Sequence, residues 1–116
     1  MNIKEQKKKI ELIDKLLNQN LKLIIFFQSD LTKYKILLMV MKGYYKSQET
    51  TIEKVIEDLP LAISSRAHKL NSITDATARG YLIKEPSKND LRKKNLTPSQ
   101  DLIDEFEEYL KILSNI

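Results

Sequence analysis

"YLIKEPSKNDLRKKNLT", Tyr81 to Thr97, falls into three parts. "YLIKE" reads as a strand, and "KKNLT" reads as its antiparallel partner. Between them lies "PSKNDLR", a polar hairpin tip. Four cations, Lys88, Arg92, Lys93 and Lys94, surround a single acid, Asp90. A basic finger of this kind is either a solvated loop or a surface that meets something acidic.

The residues upstream decide what the finger belongs to. In "TTIEKVIEDLPLAISSRAHKLNSITDATARG", Thr50 or Thr51 caps a short helix whose Ile52, Val55, Ile56 and Leu59 face inward. Pro60 cannot continue that helix. After a short link, Ser64 or Ser65 caps a further helix that runs to about Arg79 and stops at Gly80. Short helix, tight link and longer helix form a helix-turn-helix. A strand, a basic tip and a second strand directly after it form a wing.

Further out, "SDLTKYKILLMVMKGYYKS" predicts a helix capped by Asp30 or Thr32, with Ile36, Leu37, Val40 and Met41 inward and an end near Gly43. The N-terminal residues predict one long helix from Ile3 to Phe27. Ile3, Ile10, Leu17 and Ile24 recur every seven residues, with Ile13, Leu16 and Phe27 beside them. A stripe that wide suits packing on a second copy. The last helix is expected from Pro98 to about Leu113, with Ile103, Phe106, Leu110 and Leu113 apolar.

Composition narrows the function classes. A chain of 116 residues, 41% hydrophobic and 31% charged, suits one helix-rich domain, and two Gly and three Pro disfavour an all-β fold. There is no cysteine, so no thiol chemistry, thiolate metal site or disulfide exists. The longest apolar run, Leu23–Phe27, is too short for a bilayer, and the start does not read as a signal peptide. A cytoplasmic protein with no membrane partner is expected. Net charge is +4, but unevenly placed. Residues 64–95 carry eight Lys/Arg against three acids, whereas residues 96–116 carry five acids against one Lys. A basic block ahead of an acidic helix suits a polyanionic partner. With one histidine and no Gly-rich phosphate loop, no enzyme constellation forms. Asp101, Asp104, Glu105, Glu107 and Glu108 are expected on a solvent-facing side of the last helix, without a metal. No cofactor is implied.

"DLRKKNLTPSQDLIDEF" resembles the wing of MarR-type winged-helix regulators, which reads Asp-x-Arg, a few residues, then Leu-Thr and a helix. Here those positions are Asp90, Arg92, Leu96 and Thr97. "LTKYKILLMV" is similar to that family's second helix, and "RGYLIKE" to its turn from recognition helix into wing. The resemblance covers about Leu31 to Phe106. It implies homodimeric transcription regulators that bind palindromic DNA, many of them released by small ligands. Nothing in the sequence itself supports an effector.

The expectation is a mainly helical α+β winged helix: a helix-turn-helix with a two-stranded β-wing, flanked by long N- and C-terminal helices. Residues 1–116 would form one domain, with 1–29 for dimerisation, 30–97 as the winged core and 98–116 as the closing helix. In the helix over 65–79, Ile63, Ala67, Leu70, Thr74 and Thr77 share one face, taken as apolar. Ser65, His68, Ser72, Asp75 and Arg79 lie opposite, flanked by Lys69 and Asn71. Asp75 would repel phosphate, so the first half would enter the major groove. The candidate contacts with double-stranded DNA are Ser64, Ser65, Arg66, His68, Lys69 and Ser72 on the helix, with Lys88, Arg92, Lys93 and Lys94 on the wing. Arg92 suits a narrow minor groove, positioned by Asp90. The function expected is a sequence-specific homodimeric regulator. The alternative is a winged-helix assembly module whose basic face binds an acidic protein.

Overall fold

The computed structural model describes residues 2–18 and 21–115. Six helices and one hairpin follow in the order α1 (Ile3–Asn18), α2 (Lys22–Gln28), α3 (Leu31–Tyr45), α4 (Ile52–Asp58), α5 (Arg66–Ala78), β1 (Leu82–Pro86), β2 (Lys94–Pro98) and α6 (Gln100–Leu113). This is the winged helix expected, with two corrections at its ends.

The single N-terminal helix expected over Ile3–Phe27 is two helices. Leu21 is non-helical and stands at the N-cap of α2, with φ −101° and ψ 66°. Its own side chain caps nothing; instead Glu105 of α6 accepts from the backbone N–H groups of Leu23 (3.0 Å) and Ile24 (3.2 Å). A carboxylate at these otherwise orphaned donors ties α2 to α6. Glu105 is therefore turned inward, which corrects its expected place on the solvent side. The second correction concerns Pro98, which ends β2; the N-cap of α6 is Ser99, accepting from Leu102 N–H at 3.2 Å.

The core forms where α2, α3, α5, α6 and the hairpin meet. Ile24, Phe27, Ile36, Leu37, Val40, Met41, Val55, Ile73, Leu82 and Leu102 are essentially fully buried. Asp30 caps α3 by accepting from Thr32 and Lys33 N–H. That helix does not fray at Gly43 but continues to Tyr45. Gly43 is there for close approach: a Cβ would stand 2.3 Å from Thr50 Oγ1 and 2.9 Å from Gln48 O. The loop after α3 can thus lie against the helix.

Of the seven-residue stripe on the N-terminal segment, Ile24 is buried, whereas Ile3, Ile10 and Ile13 on α1 are exposed. The Leu17 side chain lies outside the described residues. Among the described residues α1 packs chiefly along α6, and the molecule extends 53 × 31 × 24 Å.

Candidate nucleic-acid interface

α5 begins at Ser65, whose hydroxyl accepts from His68 N–H at 3.1 Å. It ends in a turn where Tyr81 N–H donates to Ala76 O and Gly80 adopts φ +76°, a conformation that suits glycine. Its buried stripe is Lys69, Ser72, Ile73 and Ala76. Its exposed side carries Arg66, Ala67, Leu70, Asn71, Thr74 and Ala78. The helix is therefore turned by roughly a third of a revolution from the sequence expectation, at about 100° per residue.

That rotation reassigns three candidates. Lys69 is 1% exposed, and its ammonium donates to the carbonyls of Ile56 (3.1 Å) and Leu59 (2.5 Å). It closes the C-terminal end of α4, where unpaired carbonyls and the helix dipole both favour a cation. Ser72 is buried, with its hydroxyl on His68 O at 2.8 Å. Ser64 is buried as well, its hydroxyl 3.4 Å from Ser65 O. Side chains packed this way do not reach a base edge, so Ser64, Lys69 and Ser72 are corrected from groove contacts to internal struts. Ser65 is a helix cap. Arg66 stands exposed on the first turn.

His68 keeps a half-exposed position at the side of α5. Its Nε2 is 2.7 Å from Asp30 Oδ2, so the cap of α3 and the start of α5 share one carboxylate. Partial burial raises the Asp30 pKa. The His68 hydrogen bond and the N–H groups of Lys33 and Thr32 outweigh it, and the net value lies below the ordinary one. At the far end, Asp75 accepts from Arg79 Nε (2.8 Å) and Lys33 Nζ (3.5 Å), which hold its carboxyl below its usual range. Lys33 and Arg79 also stand over the Phe26 ring, at 4.6 and 4.8 Å from its centre.

The wing is a tight antiparallel pair, with Leu82 opposite Pro98, Lys84 opposite Leu96 and Pro86 opposite Lys94. The tip closes through Ser87 N–H to Lys93 O and Lys93 N–H to Asp90 O, both 2.9 Å. Lys88, Arg92, Lys93 and Lys94 are exposed. Arg92 Nε and Nη2 donate to Asp90 Oδ1 and Oδ2 at 3.1 and 3.2 Å, and Arg92 N–H donates to the same carboxylate. The Arg92 side chain is nevertheless 91% exposed. These bonds lower the Asp90 pKa, the Arg92 side chain contributing most.

Sequence reasoning missed Glu49. Its carboxylate accepts from Ser87 Oγ (2.6 Å), Lys88 N–H (3.0 Å) and Asn89 Nδ2 (3.2 Å), so it grips the root of the tip from the loop after α3. The Ser87 hydroxyl, followed by the Lys88 amide, holds the Glu49 carboxyl below its ordinary pKa. Alongside it, Thr50 N–H donates to Asn95 Oδ1 (2.8 Å) and Leu96 N–H to Thr50 O (2.9 Å). Only "QET", an acid between polar residues after a helix end, hinted at such a clasp. The exposed side of α5 and the first wing strand face a common open hollow, lined by Thr74, Thr77 and Ala78 from the helix and Ile83 and Lys84 from β1.

No protein-family model and no curated protein matches the sequence. Solved structures do. The heme sensor protein PefR in complex with heme and carbon monoxide matches with a TM-score of 0.52 at 18% identity, over 94% of this chain and 75% of that one. PefR from Streptococcus agalactiae in complex with heme matches at 0.50 and 20% identity, over 97% and 77%. A MarR-like transcription regulator from Bacillus cereus ATCC 10987 stands at 0.49 and 15%, over 96% and 78%. These likenesses show the fold, a winged helix. In that architecture α4 and α5 are the helix-turn-helix and β1–β2 the wing. Among the described residues, no helix is long and apolar enough to cross a membrane, and no three His, Asp or Glu gather as a metal group.

Proposed function

We propose that the chain is a MarR-like, cytoplasmic transcriptional regulator that binds double-stranded DNA as a homodimer. α5 enters the major groove and the wing tip meets the minor groove or its phosphates. The observation that carries this is the shared hollow between the exposed side of α5 and β1, next to a tip whose four cations all reach solvent. One duplex would touch both. Arg66 supplies a cation from the first turn of α5. Lys88, Lys93 and Lys94 neutralise phosphates, and Arg92, held in plane by Asp90, suits a narrow minor groove.

The dimer is built from α1 and α6. Ile3, Ile10 and Ile13 on α1 and Leu110 and Leu113 on α6 leave apolar surface uncovered. α1 is rich in lysine and α6 in acids, so a second copy can cover the first with charges of opposite sign. Two of the similar structures are heme sensors, but the proposal does not extend to heme. The one imidazole, His68, is already engaged by Asp30.

The test measures binding to duplex DNA across a salt series, with sedimentation to fix the mass. We expect a dimer and an affinity that falls steeply with salt. Replacing Lys88, Lys93 and Lys94 together by alanine should lower the slope of log K against log salt by about three and weaken random and specific duplexes alike. Ile10→Glu should yield folded monomers with weakened DNA binding. Salt-independent or absent binding to every duplex, with retention of an acidic protein instead, would favour the assembly-module reading.

A further inference from the structure

We infer that the groove face of α5 is built to read A·T base pairs, with Asn71 pairing to an adenine and Ala67, Leu70 and Thr74 packing on thymine methyl groups. This rests on the DNA-binding reading above and specifies what the helix reads.

The first argument is what the rotation of α5 removes. Guanine is read in the major groove by a cation that reaches O6 and N7 together. α5 and its cap region contain four groups of that kind: Arg66, His68, Lys69 and Arg79. Lys69 is buried against the carbonyls of Ile56 and Leu59. Arg79 is bound to Asp75 and lies over Phe26. His68 is bonded to Asp30 at the side of the helix. Only Arg66 remains, and it stands at the first turn, where phosphate is also within reach.

The second argument is what the rotation presents. Ala67, Asn71, Thr74 and Ala78 lie along one exposed line of the helix at i, i+4, i+7 and i+11, with Leu70 beside them. None is charged. An amide such as that of Asn71 matches adenine N6 and N7, donor against acceptor in both directions. Small and apolar groups match the C5-methyl of thymine. From Ala67 to Thr74 the helix rises about 10 Å, roughly three base-pair steps at 3.4 Å. A run of three or four A·T pairs in each half-site fits this face. A guanine, whose O6 and N7 both accept, would find a cationic donor opposite only at the Arg66 end.

The experiment selects binding sites from a randomised duplex pool, using the intact chain and Asn71→Ala. Asn71 is exposed, so the variant keeps the fold. A second arm replaces thymine by uracil in the selected half-site, which removes methyl groups and nothing else. We expect a half-site centred on consecutive A·T pairs. Asn71→Ala should weaken that site about tenfold or more and relax one adenine position, leaving random-duplex affinity unchanged. Uracil should weaken binding about fourfold for each methyl in contact. A half-site centred on G·C, or an Asn71→Ala variant that selects the same site with the same affinity, overturns the inference while the DNA-binding reading stands. If the intact chain binds no duplex even at low salt, the DNA-binding reading fails, and the inference with it.

Discussion

α5 and the wing tip handle positive charge in opposite ways. On α5, Lys69 is taken inside to close α4, Arg79 is held by Asp75, and His68 leans on Asp30. On the wing, Lys88, Arg92, Lys93 and Lys94 all reach solvent, and of the acids nearby Asp90 engages Arg92. The same residue types therefore mean different things in the two regions. Charge exposed on a hairpin is available to a polyanion and supplies affinity without reading sequence. Charge drawn into the helix-turn-helix ties α5 to the end of α4 and leaves the exposed face of α5 nearly neutral. Counting eight cations over residues 64–95 finds the basic region but not this division between buried and exposed charge.

The largest expected effect tests the buried side of that contrast. Lys69→Met leaves the carbonyls of Ile56 and Leu59 without their donor in a buried place. The expected loss of stability is about 2–3 kcal/mol. Thermal or urea unfolding measures it, and DNA binding should fall only in proportion to unfolding. A variant of full stability with weakened binding to specific DNA would put Lys69 back at the groove and break the comparison.

How far the sequence could be read follows the same line. The wing was legible because turn residues, strand alternation and charge agree over Tyr81–Thr97. The caps were legible to within one or two residues, Asp30 out of Asp30 or Thr32, Thr51 out of Thr50 or Thr51 and Ser65 out of Ser64 or Ser65, and the stop at Gly80 directly, because each has a local chemical reason. The face of α5 was not. Lys69 and Ser72 look polar, while Ala67, Leu70 and Thr74 look mildly apolar, so the weak amphipathic pattern pointed the wrong way. What decides the matter is tertiary: carbonyls at the end of α4 draw the Lys69 ammonium inward, and Ser72 satisfies its hydroxyl on its own helix. The usable signal was Ile73, the largest apolar side chain in the helix after Leu70 that is also β-branched. Its stripe at Lys69, Ile73 and Ala76 marks the buried side. The break before α2 was missed for a similar reason, since its stabiliser, Glu105, lies more than eighty residues away in sequence.

A middle-sized effect tests the exposed side. Glu49→Ala removes the acceptor for Ser87, Lys88 and Asn89 without removing any of the exposed wing cations. The tip should lose its fixed position, and the amide of Lys88 should exchange faster with solvent. Specific binding should weaken several-fold, while the salt slope stays the same because the number of phosphate contacts does not change. A drop in the slope would instead mean that the wing itself has come away from the duplex. Unchanged affinity would show that the tip needs no clasp, and that its cations act as a diffuse cloud.

The smallest effect concerns Asp90, the acid beside Arg92. Its carboxyl is held below the ordinary value chiefly by the Arg92 guanidinium and then by the Arg92 amide. A depressed carboxyl stabilises the fold where it is ionised. That contribution is fully present above the unfolded value near 4 and is lost as pH falls through the lower folded value. The wild type should therefore lose a little more stability than Asp90→Asn when melting is followed from pH 6 down to pH 3. At pH 7 the two should melt within a degree or so of each other, because the pair is exposed and such pairs contribute little. The DNA readout separates two roles that stability cannot. Removing a negative charge beside the phosphates should raise affinity for random duplex slightly. Losing the planar hold on Arg92 should at the same time weaken any preference for narrow A·T-rich flanks. Both changes together would mean that Asp90 aims Arg92. A rise in random affinity with flank preference intact would mean that Arg92 needs no aiming, and that Asp90 only shapes the turn through its bond to the Arg92 amide.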